Sequence, residues 1–150
     1  MIVRSSNKNV KGLECIDPKR NIWRLRWDFS DNSYEESEFS HKPDIDEIRS
    51  FIINWYNKKI EDRIINDFTW GGIKVYLNRD NQMNINMFSD SSSFPVTMKL
   101  GTDEDPIYYI FNTSDEMNNL RSSMINHIKK CLTDGWNIKK NIDWSIYEMD

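Results

Sequence analysis

NIWRLRWDF, residues 21–29, alternates without a break: Trp23, Leu25, Trp27 and Phe29 fall on one side, Arg24, Arg26 and Asp28 on the other. A period of two sends successive side chains to opposite faces of a strand, so the stretch predicts a half-buried β-strand. Before it, Asp17-Pro18-Lys19-Arg20 reads as a turn with proline at its second position, making residues 13–16 the other arm of a hairpin. After it, DNSYEESEFSHKP, residues 31–43, is polar and acidic and reads as part of a loop over 30–43. The period then changes. From Ile45, the apolar residues Ile48, Ile52, Trp55, Tyr56, Ile60 and Ile64 recur at three- and four-residue steps, the stripe of an amphipathic helix ending near residue 66. Asp44 is placed to cap it, with Glu47 three residues on.

Further along, residues 68–70, Gly71-Gly72 and residues 73–77 predict a tight hairpin. Residues 80–88 fit either a short helix or an irregular strand, and the serine-rich 89–95 reads as a loop. Strands are expected at 96–100 and 107–111, then a helix over 114–132 with Thr113 and Glu116 as a capping box and Gly135 as its stop signal. The aromatic tail, with Trp136, Ile138, Trp144 and Tyr147, is expected to pack on the body or on a partner. The fold class is therefore α+β: small antiparallel sheets or hairpins packed with two main amphipathic helices. Residues 1–43 form a basic hairpin and acidic loop, and 44–150 an α+β body, the whole being one continuous globular unit.

The chain has 150 residues, enough for one domain of ordinary size, and 13 % aromatics give large buried area per residue. No apolar run approaches the roughly 20 residues that span a bilayer, so no membrane contact is expected. MIVRSSNKNVKG lacks the apolar stretch of a signal peptide, and synthesis in the cytoplasm is the expectation. Cys15 and Cys131 are expected as free, mostly buried thiols. The net charge of −4 is segregated: residues 1–27 carry +5, residues 28–62 carry −6 and the remainder −3. A basic section on an acidic body suits contact with an acidic neighbour or with nucleic acid; loose pairing within the fold explains it equally well.

Catalytic chemistry finds little material. Histidine is the commonest general base and metal ligand, and only His41 and His127 exist. Neither has ligand-spaced cysteines or carboxylates beside it, and the sequence contains no phosphate-binding loop and no GxGxxG or GxSxG motif. Asp103, Glu104 and Asp105 read as a sharp acidic turn, and Ser91 to Ser93 as loop composition. No enzyme activity, metal or cofactor is expected. Binding features are stronger: Trp, Tyr and Arg are what interface centres use. Trp23, Arg24, Arg26, Trp27, Trp136, Trp144 and Tyr147 are the expected protein-contact residues. Nucleic acid is disfavoured as a partner, because the chain is acidic and carries no nucleic-acid-binding motif.

IINDFTWGGIKVYLNRDNQ, residues 64–82, resembles a segment of a domain of unknown function found in phage and prophage proteins of gut bacteria. In that family a helix ends in Asp or Gly, followed by Phe-x-Trp-x-Gly, a short strand and an Asn-Gln or similar pair. FPVTMKLGTDEDPIYYIF, residues 94–111, is similar to its Leu-Pro-x-x-x-Lys-x-Gly-Thr segment and following strand, and GWNIKKNIDWSIY, 135–147, to its close. The resemblance covers about 90 residues and leaves out the first 43, whose basic hairpin would adapt the chain to a particular partner. Asp67 stands where many relatives have Gly, and Asn78-Arg79 where they have Ser or Thr with an acid. Such domains occur in tail-region and tail-fibre-assembly-like proteins, without known catalytic residues. The resemblance implies a virion structural protein of the tail or head–tail region. It would be made in the host cytoplasm and would contact other phage structural proteins as a homo-oligomer or on a ring. A tail-fibre assembly chaperone is the alternative, and an enzyme such as a peptidoglycan or nucleotide hydrolase a third reading without positive support. The absence of alanine beside abundant Ile, Asn and Lys points to an AT-rich genome, as in crAss-like gut phages.

Overall fold

A computed structural model describes residues 2–4, 10–91 and 93–148. Its elements sort into two compact units, residues 1–55 with 141–150, and residues 56–140. The class is α+β, with three helices and small antiparallel sheets.

In the first unit, β1 (Ile2–Arg4), β2 (Leu13–Asp17), β3 (Ile22–Trp27) and β4 (Ser33–Phe39) form one antiparallel sheet in the order β1-β4-β3-β2. The expected hairpin is β2–β3, its turn tied by Asp17 Oδ1, which accepts the Arg20 N–H at 3.2 Å, and by Asn21 at φ 55°. The acidic stretch expected as a loop is instead β4, an interior strand. Its register explains why: Glu38 lies opposite Arg24 and Glu36 opposite Arg26. Opposite charges facing each other across a ladder stabilise pairing, about 0.2–1 kcal/mol each. The acid run is therefore the complement of β3, which a reading of either segment alone misses. Helix α1 (Ile45–Asn66) starts as expected, with Asp44 Oδ1 accepting the Glu47 N–H at 2.8 Å. Residues 45–55 belong to this unit, so the division between the two units falls within α1. The reason is aromatic packing: Trp27 meets Phe51 and Trp55 edge-on at 5.2 and 5.8 Å, and Phe39 meets Phe51 at 5.2 Å. A 3-10 turn at Trp144–Tyr147 completes the unit. Tyr147 sits so close to Gly12 that a Cβ there would lie 2.8 Å from its ring.

In the second unit, β5 (Phe68–Trp70) and β6 (Ile73–Val75) form the expected hairpin, with Gly71 and Gly72 at φ 56° and 79°. Such angles suit a two-residue turn whose twist matches the strands. Residues 80–88 lie in a helix, α2 (Arg79–Ser89): Asn78 Oδ1 accepts the Asn81 N–H at 2.8 Å, and Asn81, Ile85 and Ser89 are buried at four-residue steps. β7 (Val96–Lys99) and β8 (Tyr108–Phe111) pair in register, Met98 opposite Tyr109. Ten buried residues, from Phe68 to Met124, make this unit's core around Ile85, Phe111, Met117 and Leu120. Helix α3 (Ser114–Lys140) runs through Gly135, the expected stop. Gly135 is buried, and a Cβ on it would lie 2.2 Å from Ile60 Cδ1. It marks a close helix–helix approach rather than a helix end.

Candidate functional site

β3 supplies four of the seven expected contact residues, and the structure uses most of them internally. Trp27 is 3 % exposed, and Tyr147 is buried with its hydroxyl donating to the Arg26 carbonyl at 2.6 Å. The Arg26 side chain is buried too: Nη2 reaches Glu14 at 3.1 Å, Nε reaches Glu36 at 3.3 Å, and Nη1 donates to the Lys11 carbonyl at 3.0 Å. Its guanidinium also lies over the Tyr34 ring. A buried arginine is tolerated when its planar donors are met this fully. Arg24 is half-buried and pairs with Glu38 at 2.8 Å. Trp23, half-buried, donates from Nε1 to Asn21 Oδ1 at 2.8 Å with Lys42 above its ring. Trp144, half-buried, lies under Arg49. Arg24 and Arg26 are thus matched by acids of β2 and β4, whereas residues 5–9 of the basic section lie outside the described residues.

Trp136 differs. It is 57 % exposed on the last turns of α3, beside a groove of about 360 Å³. Ile60, Ile64 and Leu132 line the groove together with Glu61, Arg79 and Lys139. Lys139 Nζ donates to Asn57 Oδ1 at 2.7 Å, which holds one wall in place. The 3.6-residue stripe of α1 pointed to Ile60 and Ile64 as core; both are only partly buried and belong to this concave surface.

Groups with catalytic potential are arranged otherwise. His127 Nε2 lies 3.2 and 3.1 Å from the Arg63 and Ile64 carbonyl oxygens, so that nitrogen carries the hydrogen and donates. The other ring nitrogen, Nδ1, lies 4.0 Å from the Cys131 sulfur, a long contact, and burial pushes that thiol up, opposite to what a nucleophile needs. His127 thus meets carbonyls in the last turn of α1. Searches of protein-family models, curated proteins and solved structures find no match to this chain. The site is therefore read from its own chemistry. His41 forms an exposed pair with Glu47 at 2.7 Å, and Asp103 in the acidic turn pairs with Lys99. Ser91 and Ser93 bond each other, and Ser92 lies outside the described residues. Among the described residues no group of His, Cys, Asp or Glu is placed to hold a metal ion, and no helix is long and apolar enough to cross a membrane. Cys15 and Cys131 are free thiols, the first half-buried and the second buried.

Proposed function

We propose that this chain works through protein–protein contacts as a structural component of a phage tail or head–tail region, with the Trp136 groove as its contact site. The carrying observation is the exposed Trp136 indole beside a cleft that combines Ile60, Ile64 and Leu132 with Arg79 and Lys139. An amphipathic ring next to a desolvatable pocket with a charged rim is the composition of an interface centre. Met83 and Met87, four residues apart on α2, and Tyr108 and Ile110 on one face of β8 add exposed apolar area in the same unit. The phage setting rests on the resemblance of residues 64–82, 94–111 and 135–147. Engagement of Arg24 and Arg26 by glutamates argues against that strand as a phosphate-binding platform.

Quantitative mass spectrometry of purified particles beside the crude lysate tests the proposal. A fixed, stoichiometric signal in particles is expected. Trp136→Ala should remove it, since truncating a central interface tryptophan costs about 2 kcal/mol or more, roughly 30-fold in affinity. Strong signal in lysate and none in particles would replace the structural role with that of an assembly chaperone. A chain that stays monomeric and binds no particle component would overturn both.

A further inference from the structure

We propose that a second cleft, between the β5–β6 hairpin, β8 and the first turns of α3, binds a single organic cation: the ammonium or guanidinium head of a lysine or arginine side chain. The cleft holds about 510 Å³ and is separate from the Trp136 groove. Trp70 and Tyr109 form two of its walls, their rings 5.3 Å apart and inclined at 78°. Both rest on Phe111, which is fully buried, at 5.5 and 4.7 Å. The Trp70 indole donates from Nε1 to Asn119 Oδ1 at 2.9 Å, so the aromatic corner is oriented before any ligand arrives.

Glu116 supplies the third wall. Its backbone N–H is held by Thr113 Oγ1 at 3.3 Å, the first half of a capping box. Its Oε1, however, is shielded from water and has no hydrogen-bond partner. The carboxylate lies beside the Tyr109 hydroxyl and raises that phenol above its ordinary value, by a hydrogen bond first and by burial second. A carboxylate oxygen removed from water without a donor is costly, and native structures rarely leave one so. The lining contains no Lys, Arg or His to neutralise it. A cation seated in the cleft is attracted by the Glu116 charge at its wall, while the ring faces add to that attraction and the aliphatic stem covers them. A neutral polar ligand lacks the cation's attraction to the carboxylate and the ring faces, and an anion is repelled by the carboxylate.

The test is an NMR titration of the full chain, reading the Trp70 indole N–H resonance, assigned by its loss in Trp70→Phe. The probes are the capped tripeptides Gly-Lys-Gly and Gly-Arg-Gly, the uncharged Gly-norleucine-Gly, and free putrescine. Saturable shifts with the lysine or arginine peptide and none with norleucine are expected. Glu116→Gln, which keeps the shape and removes the charge, should weaken binding about tenfold or more. Should that variant fold poorly, weakening of the parental titration by added salt reads the same charge. Equal shifts with norleucine would overturn the cation reading, putrescine binding alone would overturn the side-chain source, and no saturable shift would overturn the site. Trp136→Ala should leave every titration unchanged, which separates this site from the proposed contact groove.

Discussion

Gly135→Ala should destabilise the protein even though it replaces glycine with the best helix former inside a helix. Free of its surroundings, the change would stabilise α3 by about 1 kcal/mol. Here the new methyl would lie 2.2 Å from Ile60 Cδ1 and 2.4 Å from Cγ1, far inside contact distance. Relieving such overpacking by turning Ile60 or parting the helices costs about 1–3 kcal/mol. The net expectation is a loss of up to about 2 kcal/mol, measured by urea unfolding followed by circular dichroism. The sharper test is the sign in a second background. Ile60→Ala removes both clashing atoms and leaves Cβ at 3.7 Å, an ordinary contact. In that background Gly135→Ala should stabilise by about 1 kcal/mol, so the two substitutions couple by about 1–3 kcal/mol. If Gly135→Ala stabilised both backgrounds equally, α3 and α1 would not meet at this point and the reasoning would fail.

Other expectations follow from the same geometry. Tyr147→Phe leaves the Arg26 carbonyl without its 2.6 Å donor and should cost about 1–2 kcal/mol in denaturant unfolding. Burial, and then Asp143, push the Tyr147 phenol above its ordinary value, so in the folded chain it stays protonated beyond the pH at which an unfolded tyrosine ionises, about 10. Its contribution is complete below that pH and is lost as pH rises above it; Tyr147→Phe should flatten that alkaline loss. Arg26→Met should destabilise by about 3 kcal/mol, the low end for breaking a buried pair, because Glu14 is 41 % exposed and partly screened. Gly72→Ala, forced to φ 79°, should cost about 1 kcal/mol in the same unfolding assay.

Local periodicity carried most of the fold. The β2–β3 arms, the Asp44 cap, the Gly71-Gly72 turn and the β7–β8 pair each depend on neighbours within a few residues. The failures share the opposite property. β4 is a strand because Arg24 and Arg26 stand across from Glu38 and Glu36, a pairing set by register between separate segments. α3 continues through Gly135 because Ile60, 75 positions earlier, fills the space a side chain would take. Residues 80–88 were ambiguous because α2 buries Asn81 and Ser89 beside Ile85, so its inner face is largely polar and gives a weak apolar stripe. Asn81 is accommodated there because its Nδ2 donates to the Tyr76 carbonyl at 2.6 Å.

Residue type alone does not separate the buried members of the seven expected contact residues, such as Trp27 and Tyr147, from the exposed Trp136, and the cause bears on function. Tryptophan, tyrosine and arginine are the residues of interface centres, but they are equally what a small unit with few aliphatic residues uses to hold itself together. Exposure separates the two uses. Arg26 and Tyr147 have polar atoms met within their own unit and Trp27 packs its ring there, though its Nε1 has no partner, so presenting them to another protein would mean dismantling that unit. Trp136 leaves more than half its surface in water beside an open groove, and covering it costs the fold nothing. The charge pattern points the same way. Acids of β2 and β4 engage Arg24 and Arg26, so that part of the +5 segment serves the sheet. Buried polar atoms without a partner occur in both units, Arg24 Nε and Trp27 Nε1 in the first and Glu116 Oε1 in the second, whereas Trp136 of the second leaves an uncovered face. Under the proposed reading, contact with a partner falls to residues 56–140, while Arg24 and Arg26 are engaged within their own sheet.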